Sequence, residues 1–322
     1  MLPVRKLGKN GPELTEIGFG AWAIGGPWAY GWGPVDDQES ISAIHAALDA
    51  GINWIDTAAV YGLGHSETIV GKAVKGRRDE VFIATKCGLI WDDRGNVKPN
   101  INPGSIAQEV ENSLRRLNVD VIDLYQIHWP DNKTPVEKAW EIMLKLKDRG
   151  MVRYIGVSNF NVDQMSRCLS LGHIDSLQPP YNLVRRKVEK EELPFCKENG
   201  IGVIGYSPMM SGLLTGKFDL SRLADDDWRK KNPMFNEPKL SKALEFVDQL
   251  RPIAESYGKT VAQFSIGWVL QHPAMTSAIV GARRPSQVEE IAGGTGFSIR
   301  PEDMQKINDM LEDMFGNDVF EP

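Results

Sequence analysis

The 322-residue chain is 42% hydrophobic and 25% charged, the proportions of an ordinary globular protein with apolar material for a large core. Its formal net charge of −6 argues against nucleic acid or an anionic membrane surface as a partner, since both need basic faces. Three widely spaced cysteines and five histidines give neither a disulfide framework nor metal-ligand spacing, and MLPVRKLGKNG lacks the apolar core of a targeting segment, so a cytoplasmic location is expected.

In chain order, residues 4–7 and 13–17 flank the turn Gly8-Lys9-Asn10-Gly11-Pro12 and predict a hairpin that lids one end of the fold. Short apolar runs then alternate with longer stretches of helical period. Strands are expected at 17–20, 53–56, 81–86, 121–128, 154–158, 176–178, 202–206 and 277–280. Helices are expected at 37–50, 66–74, 103–117, 135–149, 161–171, 189–199, 240–257 and 285–292. In the third of these, Ile106, Val110, Leu114 and Leu117 form one apolar stripe. Apolar strands in strict alternation with helices point to a parallel sheet. Eight such units without a linker predict an α/β fold, a single (β/α)8 TIM barrel domain over residues 1–322. Helices at 261–272 and 301–315 fall outside the alternation and are expected as two additions. Segment 208–238, rich in Gly, Pro and Asp, is the longest irregular stretch, a length that is usually functional or mobile.

Active sites of such barrels gather at the C-terminal strand ends. Here those ends carry Asp56, Lys86, His128, Ser158, Asn159, Gln178, Tyr206 and Ser207, polar at every position from the second strand to the seventh. With Tyr61 on the loop after Asp56, four of them suit proton transfer to a carbonyl. A phenol with a pKa near 10 is a poor acid unless a cation sits beside it. Lys86 supplies that cation, Asp56 holds the lysine, and His128 donates to the same substrate oxygen. The other reading is a buried Asp56–Lys86 ion pair under a packed His128-Trp129 rim.

Gly18, Gly20 and Ala23 fit a dinucleotide fingerprint after a strand, but Gly25-Gly26-Pro27 and Gly31-Trp32-Gly33-Pro34 forbid the helix that it must open, so the Rossmann reading fails. Trp22, Trp28, Tyr30 and Trp32 lie in that loop, where a substrate enters a barrel. They are read as a substrate wall with Trp91 and Trp129 opposite, packing being the alternative.

The motifs DTAAVYG, GxSE at 64–67, ATK at 84–86, DLYQIHWPD at 123–131, IGVSNF at 155–160, QPPYNL at 178–183 and GLLTGKF at 212–218 run in order from residue 17 to about 290. Together they resemble the aldo-keto reductase superfamily, most of all its bacterial general-stress and inositol-operon reductases. The resemblance implies NADPH across the barrel mouth, Tyr61 as proton donor supported by Asp56, Lys86 and His128, and a small carbonyl substrate. It assigns Ser158, Asn159 and Gln178 to the nicotinamide carboxamide, Tyr206 to stacking on the ring, and Ser207 and Leu213 to closure over the pyrophosphate. In the segment from Gly281 to Pro285, Arg283 and Arg284 at a helix start are expected to read the 2′-phosphate of NADPH/NADP+, with Gln287 and Glu290 on the adenosine. Ile291 departs from the asparagine often found beside the adenine. The superfamily also resembles potassium-channel β-subunits, so a redox-sensing or regulatory subunit is the alternative function.

Overall fold

The computed structural model describes residues 2–225 and 227–316. Chain order is β1 (Val4–Lys6), β2 (Glu13–Thr15), β3 (Ile17–Gly20), α1 (Asp37–Asp49), β4 (Trp54–Asp56), α2 (His65–Ala73), β5 (Phe82–Cys87), β6 (Leu89–Trp91), β7 (Val97–Pro99), α3 (Pro103–Leu117), β8 (Ile122–Ile127) and α4 (Val136–Asp148). It continues with β9 (Val152–Ser158), α5 (Val162–Leu169), β10 (Ser176–Gln178), α6 (Glu192–Asn199), β11 (Gly202–Tyr206), α7 (Lys239–Ser256), α8 (Val261–Leu270), β12 (Met275–Gly281), α9 (Pro285–Ala292) and α10 (Pro301–Phe315). Strands β3, β4, β5, β8, β9, β10, β11 and β12 pair in parallel in that order, and β12 returns to β3 through Ala278↔Ile17 and Gly281↔Gly20. These are the eight strands expected from the apolar runs, closed as a (β/α)8 barrel.

Period-two alternation decides what fills it. Trp54, Ala84, Leu124, Ile204 and Ile279 cluster inside, and Leu7 and Leu14 from the β1–β2 hairpin pack against them. The Trp54 indole donates to Thr15 O and Ser277 Oγ, both at 3.2 Å, which ties the hairpin to two strands. The N-terminal end is therefore sealed, and two residues beyond Trp54 and Ala84 the same inward positions become Asp56 and Lys86. Alternation alone thus aims both charges into the open C-terminal end.

Helix boundaries follow local chemistry. Pro103 opens α3, Asn102 Oδ1 accepts from Gly104 N at 3.0 Å, and Asn118 ends it in the left-handed region. One pairing differs from expectation. Helix α8, read as an addition, packs against β12 and α9 and is buried on all faces, as its sequence VAQFSIGWVL requires. Helix α7 packs instead on α8 and α10, so α7 and α10 are the additions. The β6–β7 hairpin was not expected, since three-residue strands carry too little periodicity to read. Among the described residues, no helix is long and apolar enough to cross a membrane.

Candidate active site

At the sealed barrel's open end lies a cavity of about 640 Å³. Behind its floor Lys86 Nζ spends three donors: on Asp56 Oδ1 at 2.6 Å, Thr57 O at 2.9 Å and the Tyr61 hydroxyl oxygen at 3.1 Å. Gln178 Nε2 donates to the other carboxylate oxygen of Asp56 at 2.8 Å. Lys86 is 1% and Asp56 3% exposed, so both charges are desolvated. Burial pushes the Asp56 carboxyl up and the Lys86 ammonium down, and each is opposed by the charge of the other. Four hydrogen bonds hold the charged pair against that cost.

Tyr61 sits on a loop fixed by close backbone approach. Gly62 is left-handed, φ 60°, and a Cβ there would fall 1.7 Å from Gly25 O, so only glycine lets the Tyr61 loop touch the aromatic loop after β3. The His128 ring crosses the Tyr61 ring edge-on at 5.7 Å, and Trp28 lies 6.2 Å away on another side. The expected cation stands beside the phenol, with Lys86 Nζ 4.8 Å from the Tyr61 ring centroid. Burial, then the Asp56 charge, pushes the Tyr61 pKa well above its ordinary value. Tyr61 is thus held protonated at neutral pH, the state a proton donor needs. Burial, then Lys86, drives the His128 pKa well below its ordinary value, leaving a neutral imidazole with one N–H to give.

Of the other expected residues, Asn159, Gln178, Tyr206, Ser207, Gly281, Arg283 and Gln287 line the cavity, as do Trp22, Trp28, Tyr30, Trp32 and Trp129. Asn159, left-handed at φ 60°, donates to His128 O and Ser158 Oγ, both at 3.0 Å, and accepts from the Tyr206 hydroxyl at 2.9 Å. It couples three strand ends. Ser158 lies behind the wall, donating to Gln178 O at 2.7 Å. Since Gln178 gives its amide N–H to Asp56, it braces the Asp56–Lys86 pair as well as facing the cavity.

Several expected contacts fall elsewhere. Trp91 is not on the cavity wall, because its indole stacks under the Arg116 guanidinium at 5.9 Å, and Leu89, Val97 and Pro99 of its hairpin take that place. Leu213 is fully buried and does not line the cavity, so the expected closure over a pyrophosphate is not formed by this residue here. Glu290 pairs with Lys217 at 3.2 Å and Arg284 with Glu39 at 3.3 Å, both outside the cavity. Gln287 Oε1 already accepts from the backbone N–H of Arg283 at 2.8 Å and of Arg284 at 3.2 Å, capping the helix start expected to take a phosphate. Trp32 carries Arg229 on its ring at 4.6 Å and Arg283 at 5.7 Å, which joins the 208–238 segment to the aromatic loop.

Trp228, Asn232 and Arg185 line the cavity without having been singled out. Nothing periodic marks the first two. Arg185 had a signal: it precedes Arg186, and Glu189 at helical spacing can satisfy only one of the two.

A dinucleotide needs donors at the mouth, and the chain has them in excess. The buried indole N–H groups of Trp28, Trp32 and Trp228 find no acceptor among the described residues, although their rings border the cavity. Those donors, the Asn159 and Gln178 amides and the Tyr206 ring fit an aromatic amide with an anionic tail.

A model of the Aldo/keto reductase family matches residues 16–312. Aldo-keto reductase YhdN of Bacillus subtilis is 43% identical over 317 residues, covering 97% of this chain and 95% of its own. The NADH-specific methylglyoxal reductase of Escherichia coli is 34% identical over 319 residues, 95% of this chain and 97% of its own. The structure of the glycerol dehydrogenase AKR11B4 from Gluconobacter oxydans superposes with a TM-score of 0.89 at 40% identity, covering 98% of this chain and 96% of that one. By sequence over nearly its whole length and by its barrel, the chain belongs to the aldo/keto reductase family, oxidoreductases that bind a nicotinamide cofactor.

Proposed function

We propose that the chain is an NADPH-dependent reductase that converts aldehydes and ketones reversibly to alcohols, with Tyr61 as general acid. The observation that carries this reading is the hydrogen-bonded line Asp56–Lys86–Tyr61 opening beside His128 into an aromatic cavity. When bound, the reduced nicotinamide supplies the hydride. Tyr61 Oη holds the proton that the carbonyl oxygen takes, and the neutral His128 gives that oxygen a second hydrogen bond. Lys86 steadies the phenolate left behind, and Asp56, braced by Gln178, keeps Lys86 in place. Asn159, Gln178 and Tyr206 would hold the nicotinamide, and Ser207, Gly281 and Arg283 the phosphates. The printed names of the relatives, a methylglyoxal reductase and a glycerol dehydrogenase, support small oxygenated substrates on either side of the same equilibrium.

NADPH is chosen over NADH because Arg283 and Arg284 stand together at the α9 start. The test is oxidation of NADPH and of NADH by the purified protein with a panel of aldehydes. Turnover with NADPH preferred is expected. Tight dinucleotide binding without turnover on any carbonyl would favour a regulatory subunit instead.

A further inference from the structure

Arg185 borders the cavity yet enters none of the chemistry above. Its backbone is fixed. Arg185 N donates to Asn182 O at 3.1 Å and Asn182 N to Arg185 O at 3.3 Å, closing a turn whose Leu183 and Val184 are buried. The Asn182 side chain donates to Ser207 O at 2.9 Å and accepts from Val184 N at 3.1 Å, tying that turn to the end of the strand bearing Tyr206.

The guanidinium, by contrast, has no hydrogen bond and no ion pair among the described residues. Its neighbours are matched. Arg186 pairs with Glu189 at 2.9 Å, and Glu189 also accepts from the Tyr181 hydroxyl at 2.6 Å. Of the described residues lining the cavity only Asp56 is acidic, and both its oxygens are taken by Lys86 and Gln178. A chain of net charge −6 has therefore placed an uncompensated cation at the mouth of its aromatic cavity. Burial pushes the Tyr206 phenol up to about 12 while the Arg185 and Lys86 charges oppose it, so the free cation and the catalytic one bear on the same ring.

We propose that Arg185 determines substrate class, selecting carbonyl compounds that carry a carboxylate, which it engages while the carbonyl oxygen meets Tyr61. This rests on the reductase reading. A guanidinium presents a planar fork of N–H donors that matches a carboxylate two bonds at a time, and partial removal from water strengthens such pairs. A turn with both backbone groups bonded keeps the fork in place before the substrate arrives. A dinucleotide phosphate is the other anion within reach of this face, and the experiment separates the two.

The measurement is kcat/KM for 4-carboxybenzaldehyde and for its methyl ester, in the wild type, Arg185→Gln and Arg185→Glu. The wild type favours the acid, the glutamine variant lowers the acid-to-ester ratio about 10- to 100-fold, and the glutamate variant inverts it. A ratio unmoved by either substitution would overturn the proposal. So would a weakened NADPH dissociation constant with an unmoved ratio, which gives Arg185 to the cofactor. Binding of benzoate against benzamide, followed by quenching of tryptophan fluorescence, needs no turnover. If the reductase reading itself failed, a benzoate preference lost in Arg185→Gln would still support the anion site, and its absence from the wild type would remove it.

Discussion

The Lys86 ammonium donates to the Tyr61 hydroxyl oxygen at 3.1 Å while the same nitrogen holds Asp56 at 2.6 Å. That sharing sets the phenol's character. Committed to a carboxylate, Lys86 does not overcome burial, so Tyr61 stays protonated. Once the phenol gives up its proton, the existing contact strengthens into a charge-assisted bond.

Lys86→Met should therefore lower kcat by about 10²–10⁴-fold, the usual worth of general acid catalysis, because the phenolate loses the cation that bonds it. It also strands Asp56, 3% exposed, with Gln178 alone, at a stability cost of about 3–5 kcal/mol. Adding Asp56→Asn should recover most of the stability and none of the rate. Recovery of both, read from urea melts and turnover, would make the lysine structural.

Gly62→Ala should cost activity at a distance from the chemistry. The added Cβ meets Gly25 O at 1.7 Å, so the loop must shift and take Tyr61 with it. Gly76→Ala is the control: also left-handed, φ 81°, but with nothing within 4 Å, it should cost only about 1–2 kcal/mol of stability. Equal turnover in the two variants would mean that the Gly25–Gly62 contact does not place Tyr61.

Much of this was legible in the sequence because the period-two rule that builds the barrel also builds the site. Trp54 and Ala84 lie in the strands expected from the apolar runs and fill the barrel, and Asp56 and Lys86 fall two residues further on the same faces. Pairings that cross the chain were not legible. Nothing local shows that Gln178 reaches Asp56, that Arg229 lies on Trp32, or that Arg116 draws Trp91 off the cavity. Helices α7 and α8 were exchanged for a related reason, since periodicity reports an apolar stripe but not which of two consecutive helices has all its faces covered.

Replacing Arg283 and Arg284 together with alanine should weaken NADPH about tenfold or more and leave NADH nearly unchanged, charge-assisted bonds being worth about 1.5–3 kcal/mol each. The Arg284–Glu39 pair at 3.3 Å is exposed and competes little. Equal losses for the two dinucleotides, by fluorescence titration, would mean that the arginines do not read the phosphate.

Glu109 makes a pH prediction. It accepts from Gly88 N and Ser105 Oγ, both at 2.9 Å, yet burial outweighs these bonds and lifts its pKa to about 7. The folded value lies above the unfolded one, so the folded state holds the proton longer. Its stability contribution is complete below the unfolded pKa near 4.5 and is lost as pH rises through about 7. The loss is on the order of 3–4 kcal/mol at roughly 1.4 kcal/mol per pKa unit. Glu109→Gln should flatten the wild-type decline between those pH values in denaturant titrations, and an unchanged slope would assign it to another group.

The central claim is that Tyr61 donates the proton, and Tyr61→Phe tests it by removing one oxygen atom from the cavity. Single-turnover oxidation of bound NADPH by an aldehyde should slow by about 10²–10⁴-fold while the NADPH dissociation constant stays within about twofold of wild type. Hydride transfer at the wild-type rate in the phenylalanine variant would contradict the account, because among the described residues Tyr61 is the one hydroxyl that Lys86 bonds beside the cavity.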